Sequence, residues 1–530
     1  MLPNTTHSDK QLFMARYKIA KDRADDWANL LEACFYYAVP FRNRFHKEGQ
    51  EQGGFNNAYL YDSTGVEGTR TFVSKMHNVM CPPQVQWGFM EATSKTLSES
   101  ELLEAQAEHD KYLTEVFRYI HNSNFDVVVN EAFFDLSIGT SCLVCNPYND
   151  DDPLLYTSIP IDQLAIEEAL DGKIHTWFRT WKEIKISQIQ YRWKKSVLTP
   201  NLMQMMADNP NAKTKVIEGV TFDPSNKTYP YIYSIYANDG DDKEILKVPV
   251  KINRAVTWRF QKTNNEWWGR GPVMDALPAI MRANEMAKIE YASANLNVFR
   301  PFMGFSDNIF NPNTFRLKPM SVIPIAPLGS SNGQVPLIPL PDSSNPVFGQ
   351  MTLVDLRTQI NNLLFSDPLG PVDGPAKTAT ELSLRQQDLA EKIGPLFTRL
   401  QQEMLWPILN LTMHTLDETG ILPRPKFKGV DVTFKYKSPL AMAKGLQEIS
   451  ILSQAIQVMQ GIFGPDVTQL FINNAEAPYM IFKALQVDTK YLNTPEQMKI
   501  AGDKMLKAQN DMKAQQEEAM RNQPPQGAPR

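Results

Sequence analysis

Apolar positions recur with a helical period along the first quarter of the chain. Ser8 to Gln11 reads as a capping box, with Gln11 reaching back to Ser8. The helix it opens is expected to run to about Val39, where Pro40 stops it. Further helices are expected over 64–79, 98–121 and 124–137, the second of them rich in Glu, Ala and Leu. From Cys142 to Trp258 the period shortens to two. Strands are expected over 141–145, 174–181, 216–222, 229–236, 245–252 and 255–260, with Asn238-Asp239-Gly240 as a hairpin turn.

Helical spacing then returns. Gly271-Pro272 opens a helix to about Asn297, with Pro272 at its first position. Ala276, Ala279, Ala283 and Ala287 form a small-residue face, Asp275, Arg282 and Glu285 lie on another side, and Pro278 is placed to bend the helix near its start. Prolines and short apolar runs at 321–325 and 335–340 mark 300–346 as a small, turn-rich β module. A second helix follows at 347–365, with Leu353, Leu356, Ile360, Leu363 and Leu364 at helical spacing. Helix, module, helix puts the module at the tip of a two-helix stalk. Residues 366–377 carry three Pro and two Gly and form a loop. Thr378-Ala379-Thr380-Glu381 is a second capping box, and its helix carries Leu389, Ile393, Leu396, Phe397, Leu400, Met404 and Ile408 on one stripe. Gly394-Pro395 inside that stripe predicts a kink, and Gly420 a C-cap. A strand over 428–436, a helix from Ser438-Pro439, a last helix from Thr494 and a fraying polar tail from about Lys507 complete the chain.

Composition narrows the class. Lys and Arg total 54 against 59 Asp and Glu, a net charge of −5, which excludes a globally basic nucleic-acid coat but not a local basic lining. A hydrophobic share of 42% is enough to bury a core over the 530 residues. Four Cys are too few for a disulfide scaffold and point to a reducing compartment. No apolar run reaches the ~20 residues of a membrane span, and the start MLPNTTHSDK lacks a signal-peptide pattern, so assembly in the cytoplasm is expected.

Candidate chemistry is sparse. Gly370 to Thr378 has the look of a phosphate loop, but Ala376 stands where Gly must precede Lys377, and no strand leads into it. Cys142-Leu143-Val144-Cys145 is a lone pair in a strand, where the two thiols face opposite sides, so buried thiols are expected rather than a metal site. The seven His are scattered without an HExxH, and the Asp runs at 150–152 and 239–242 read as solvated turns. No catalytic, cofactor-binding or metal-binding residue is assigned.

The stalk is the informative feature. A long helix pair has little core of its own and needs side-by-side neighbours, and head-to-tail repetition around an axis closes a ring if the rotation closes. Residues 271–366 hold six basic and six acidic side chains, so a channel wall made of them would hold a polyanion loosely. An ordinary helical hairpin in a globular protein fits the same pattern.

Trp268-Gly269-Arg270-Gly271-Pro272 before the first stalk helix, and Thr378-Ala379-Thr380-Glu381 before the long helix, resemble the head-to-tail connecting (portal) proteins of short-tailed, podovirus-type bacteriophages. Members often have Tyr where Trp268 stands here, an aromatic-for-aromatic change. The resemblance implies an α+β, mainly helical portal fold in a ring, usually of twelve, at one capsid vertex of the virion. It maps 1–270 to a wing, 271–298 and 347–366 to stem helices, and 299–346 to a clip. Residues 367–377 become a tunnel loop, 378–436 the long helix and a wing strand, 437–506 a helical crown and 507–530 a tail.

The implied role is a conduit for double-stranded DNA, without sequence specificity, during packaging and ejection. The implied partners are the terminase large subunit, major capsid and scaffolding proteins, a tail adaptor and internal core proteins, with no membrane, cofactor or enzymatic activity. Asp367, Pro368, Gly370, Pro371, Asp373, Gly374 and Pro375 would shape the tunnel loop, Gly394 and Pro395 would turn the long helix, and Arg282, Lys288 and Lys377 are the DNA-facing candidates. The competing classes are a tail or scaffold protein without a channel, and a hydrolase with an unrecognised site.

Overall fold

The computed structural model describes residues 9–42, 59–93, 99–147, 153–237, 244–298, 302–304, 337–339, 346–366, 396, 398–425, 431–436 and 439–463. In chain order the elements are α1 (Asp9–Asp25), α2 (Ala28–Ala38), α3 (Thr64–Met80), β1 (Gly88–Thr93), α4 (Glu99–Asn122), α5 (Phe125–Ile138), β2 (Thr140–Asn146), β3 (Leu155–Ser158), β4 (Leu164–Glu168), β5 (Ile174–Lys185), α6 (Ile186–Arg192) and α7 (Pro200–Asp208). They continue with β6 (Lys213–Phe222), β7 (Tyr231–Ala237), β8 (Leu246–Val250), β9 (Ala255–Arg259), α8 (Pro272–Val298), β10 (Phe302–Gly304), β11 (Leu337–Pro339), α9 (Pro346–Leu363), a π-helical turn (Gln401–Leu405), α10 (Trp406–Glu418), β12 (Asp431–Tyr436) and α11 (Pro439–Phe463). The class is α+β with helix the larger share.

The chain divides into two compact units. The first comprises Met1–Asn78, Asn122–Gly374 and Leu396–Ile421. Its main sheet is antiparallel in the order β4-β5-β6-β7-β8, and β3-β2-β9 form a smaller antiparallel sheet. One core joins α2, the inner face of the main sheet and α8 and α9, through residues such as Leu31, Trp177, Ile235, Ile280 and Ile360. Burying each such side chain contributes about 1.5–3 kcal/mol relative to leaving it in water. The other face of the sheet is covered by α1, where Phe13 meets Phe178 edge-on at 5.1 Å.

The helix expected from Ser8 to Val39 is two helices. Ser8 lies outside the described residues, and the chain turns at Asp26 and Trp27, where Trp27 N–H bonds to the Ala24 carbonyl. The apolar stripe continues across the break, but its halves serve different partners: α1 packs on β4, and α2 packs on α8. A straight helix could not reach both. The hairpin expected around Asn238-Asp239-Gly240 is present as the antiparallel β7–β8 pair, with the turn itself outside the described residues. Cys142 and Cys145 sit in β2 as free, buried thiols, both pushed up to about 12 by burial.

The second unit comprises Val79–His121, Pro375–Pro395 and Leu422–Arg530. Here β1 pairs antiparallel with β12, from Gly88 opposite Tyr436 to Thr93 opposite Asp431. Trp87 is buried edge-on against Phe117 at 4.9 Å, and the Tyr436 hydroxyl donates to the Met80 carbonyl at 2.6 Å. The long α11 starts at Pro439, where Ser438-Pro439 predicts a helix start.

Candidate functional site

The helices α8 and α9 pack together, and Ala276, Ala279, Ile280 and Ala283 of α8 are buried in the same core as Leu353 and Ile360 of α9. The small-residue face read from the sequence is buried at its first three alanines, which lets the two backbones approach. Antiparallel β10 and β11 lie between them in the chain, with Phe302 opposite Pro339.

The base of α8 is a crossing of bare backbones. A Cβ on Gly271 would stand 2.3 Å from the Ser137 carbonyl oxygen and 2.4 Å from the Ile138 carbonyl carbon. One on Gly139 would stand 2.0 Å from the Gly269 oxygen, and one on Gly269 2.6 Å from the Gly139 oxygen. The motif segment therefore passes the end of α5 at a distance only glycine allows. Hydrogen bonds fix the crossing. Gly269 N–H donates to Thr140 Oγ1 at 2.8 Å, Phe260 N–H to the Gly139 carbonyl at 2.8 Å, and Arg270 exchanges two backbone bonds with Gln261.

Arg259, at the end of β9, is 1% exposed and anchors this joint. Its guanidinium donates to Glu168 Oε2 at 2.6 Å, Glu403 Oε1 at 3.0 Å, the Gly172 carbonyl at 2.9 Å and the Trp267 carbonyl at 3.3 Å. The Arg259 backbone N–H donates to Glu403 Oε2 at 3.0 Å, and Lys262 shares Glu168. A guanidinium buried in this way is tolerable because its charge is balanced and its donors are occupied. Glu403 belongs to the π-helical turn, a departure from α geometry that often marks functional positions.

Arg270 closes the outer side. It grips Glu266 through two bonds of 2.9 and 2.6 Å, and it lies over the Trp27 ring at 4.9 Å. Hydrogen bonding from Arg270 holds the Glu266 carboxyl below its usual range. Arg23 lies over Trp267 at 3.6 Å, and these five side chains line a cleft of about 480 Å³.

A second polar clamp ties α3 to the helix pair. Asp62 accepts from Thr64 N–H at 2.9 Å and from Arg357 Nε of α9 at 2.9 Å. Asn284 of α8 accepts from Tyr61 N–H at 2.7 Å. Burial would raise the Asp62 carboxyl, but the bonds from Thr64 and Arg357 outweigh it and hold the group below its usual range.

The profile of the family described as "Bacteriophage head to tail connecting protein" matches residues 10–492. The chain belongs to that family. A curated relative, the probable portal protein of Bordetella phage BPP-1, is 22% identical over 472 residues, spanning 82% of this chain and 80% of the relative. Two solved structures are similar at 12% identity. The virion of a native gene transfer agent particle has a TM-score of 0.37 and covers 82% of this chain and 96% of its own. The neck of an empty gene transfer agent particle has a TM-score of 0.41 and covers 84% of this chain and 97% of its own.

In this head-to-tail connecting protein the motif residues Gly269, Arg270, Gly271 and Pro272 come together in the joint, Pro272 as the first residue of α8. Arg282 and Lys288 are exposed on α8, beside exposed Asp275 and Glu285. Asp367, Pro368, Gly370, Pro371, Asp373, Gly374, Pro375, Lys377, Thr378, Ala379, Thr380, Glu381, Gly394 and Pro395 lie outside the described residues. Among the described residues no three His, Cys, Asp or Glu side chains are grouped to hold a metal ion, and no helix is long and apolar enough to cross a membrane. Sequence reasoning missed Arg259, Glu168 and Glu403. Their sole trace is the density of glycines at 139, 269 and 271, which marks close backbone approach without naming the charges nearby.

Proposed function

We propose that the chain is a phage portal subunit that closes with its copies into a ring of twelve at one capsid vertex and conducts double-stranded DNA during packaging and ejection. The observation that carries this reading is the helix pair α8–α9, with a β ribbon between the helices and a rigid joint at its base, in a chain that matches the connector family over nearly its whole length. In the proposed ring the helix pair is the stem, 299–346 the clip, 367–377 the tunnel loop and 437–506 the crown. Residues 1–270 and 378–436 form the wing. Arg282, Lys288 and Lys377 would each be repeated as a belt of charge around the channel. On α8 these cations alternate with Asp275 and Glu285, so the wall neutralises few phosphates and lets DNA slide. The ring would dock the terminase motor at the clip, later the tail, and in the head the capsid, scaffolding and internal core proteins. Chemistry is left to the motor, and no catalytic centre is proposed.

Electron microscopy of the purified protein, with particle mass measured in parallel, tests the reading. The expected result is an open-channelled ring with a mass near twelve times 60.3 kDa. A discrete small oligomer without a channel would overturn it.

A further inference from the structure

The second half of α11 is an apolar helix face standing in water. No charged residue lies between Glu448 and Asp466, and Ser450 to Ile462 consists of Ile, Leu, Val, Met, Ala, Gly, Ser and Gln alone. Ile451 is 58% exposed, Val458 59% and Ile462 67%, with Leu452 and Ala455 exposed beside them. A helix of a soluble protein turns such a face towards a partner.

At about 100° per residue the sequence divides the helix surface into two arcs. The serines and glutamines of 450–460 share one of about 120°. Apolar side chains fill the opposite side over about 180°. One edge of that apolar arc is Ile451, Ala455, Val458 and Ile462, all exposed. The other edge is Ile449, Leu452, Ile456 and Met459, spaced as the alternating three and four of a helix–helix seam. A single helix partner covers a stripe of roughly 100°, so an arc this wide calls for two partners, one at each edge.

The chemistry of the arc says what those partners are. A nucleic acid needs Lys or Arg for its phosphates, and this stretch offers none. Interfaces between permanent copies are more apolar than those with passing partners, and their centres are depleted of charge. Identical neutral helices lie side by side without like-charge repulsion. In a head-to-tail ring each copy meets one neighbour on either side through two different faces, and the two edges of α11 supply two such faces.

We propose that α11 is a seam of the ring, its Ile451–Ile462 edge packing against the Ile449–Met459 edge of α11 on the next copy. The proposal rests on the ring reading and specifies one of its contacts.

Cross-linking of the full chain tests it. Ile456 and Val458 lie about 160° apart round the helix and about 3 Å apart along it, so they face different neighbours. A chain carrying Ile456→Cys and Val458→Cys together, oxidised with copper phenanthroline, is expected to give a ladder beyond dimers on a non-reducing gel. Either substitution alone should give dimers at most. Cys34, Cys81, Cys142 and Cys145 are buried and stay out of the reaction. Sedimentation velocity supplies the second readout. Ile451→Gln, Val458→Gln and Ile462→Gln in one chain keep good helix formers and are expected to weaken self-association at least roughly 10-fold. Ser453→Lys with Gln457→Lys, on the polar arc, should assemble as the wild type does. Circular dichroism melts check that each variant folds.

Three results would overturn the seam. The first is a double-cysteine chain that forms rings but no ladder beyond dimers, which gives the arc to another occupant. The second is a folded three-glutamine variant that assembles as the wild type does. The third is a lysine variant that loses assembly as completely as the glutamine one. A wild-type ring in any of these cases leaves the ring reading standing, whereas a wild-type chain that stays monomeric at high concentration removes both.

Discussion

Replacing Gly271 by Ala adds one methyl group at the tightest point of the joint. The new Cβ would stand 2.3 Å from the Ser137 oxygen and 2.5 Å from the Ile138 oxygen, where ordinary contact begins at 3.4 Å. The chain must therefore open by about 1 Å at a place where both neighbours are backbone and neither can rotate away. Overpacking by one methylene usually costs about 1–3 kcal/mol, and the lack of a yielding side chain puts this site at the upper end. Reduced freedom of the unfolded chain returns about 0.4–1 kcal/mol for a Gly-to-Ala change. A net loss of about 2 kcal/mol remains, read by scanning calorimetry as a melting point about 2 °C lower for a chain of this size. Gly461 on α11 is the control, because its Cβ would meet nothing within 4 Å. Gly461→Ala should gain up to about 1 kcal/mol through helix propensity. A Gly271→Ala protein that melts within about 1 °C of wild type would refute the close-crossing argument.

The remaining predictions concern charge. Arg259→Lys keeps the cation but cannot bridge Glu168, Glu403 and the carbonyls of Gly172 and Trp267 together; it should cost about 2–4 kcal/mol in thermal unfolding, and a loss under about 0.5 would show that the charge alone suffices. Asp135 is fully buried, and burial pushes its carboxyl up to about 7 against the opposing pull of Arg42. The folded protein then holds a proton that the unfolded chain releases near pH 4, so this group's stabilisation is complete at low pH and is lost as pH rises towards 7. Asp135→Asn should flatten that decline and melt higher than wild type at pH 8, by an equivalent of about 1–4 kcal/mol; parallel pH profiles for the two proteins would refute it.

Local signals were legible where local chemistry decides the structure. Pro272 sets the start of α8 because its fixed φ suits a first helical position, and Ala276, Ala279 and Ala283 announce a close helix pair. The strands over 174–181 and 216–222 are legible as β-rich runs, and their centres are buried continuously because one face of that sheet meets α1 and the other the main core. Reading failed where partners are distant in sequence. Arg259 looks like any strand Arg until Glu168 and Glu403, 91 and 144 residues away, are brought to it. The short strands β3 and β4 carry too few residues to show a period. The break at Trp27 is invisible in a stripe that continues unbroken, because the change of packing partner, not the stripe, turns the chain.

A contact made of two main chains has no rotamers. Side-chain interfaces yield by hopping between staggered wells, and they creep under sustained load. The crossing of Gly139, Gly269 and Gly271 has no rotamers to exchange, and its backbone torsions are held by the bonds from Gly269 N–H to Thr140 and from Phe260 N–H to Gly139. Force arriving along α8 is therefore passed to α5 and the small sheet elastically, with little dissipated at the joint. A part built this way behaves as a bearing seat rather than a hinge: it returns to the same position after each loading, whatever the neighbouring side chains do.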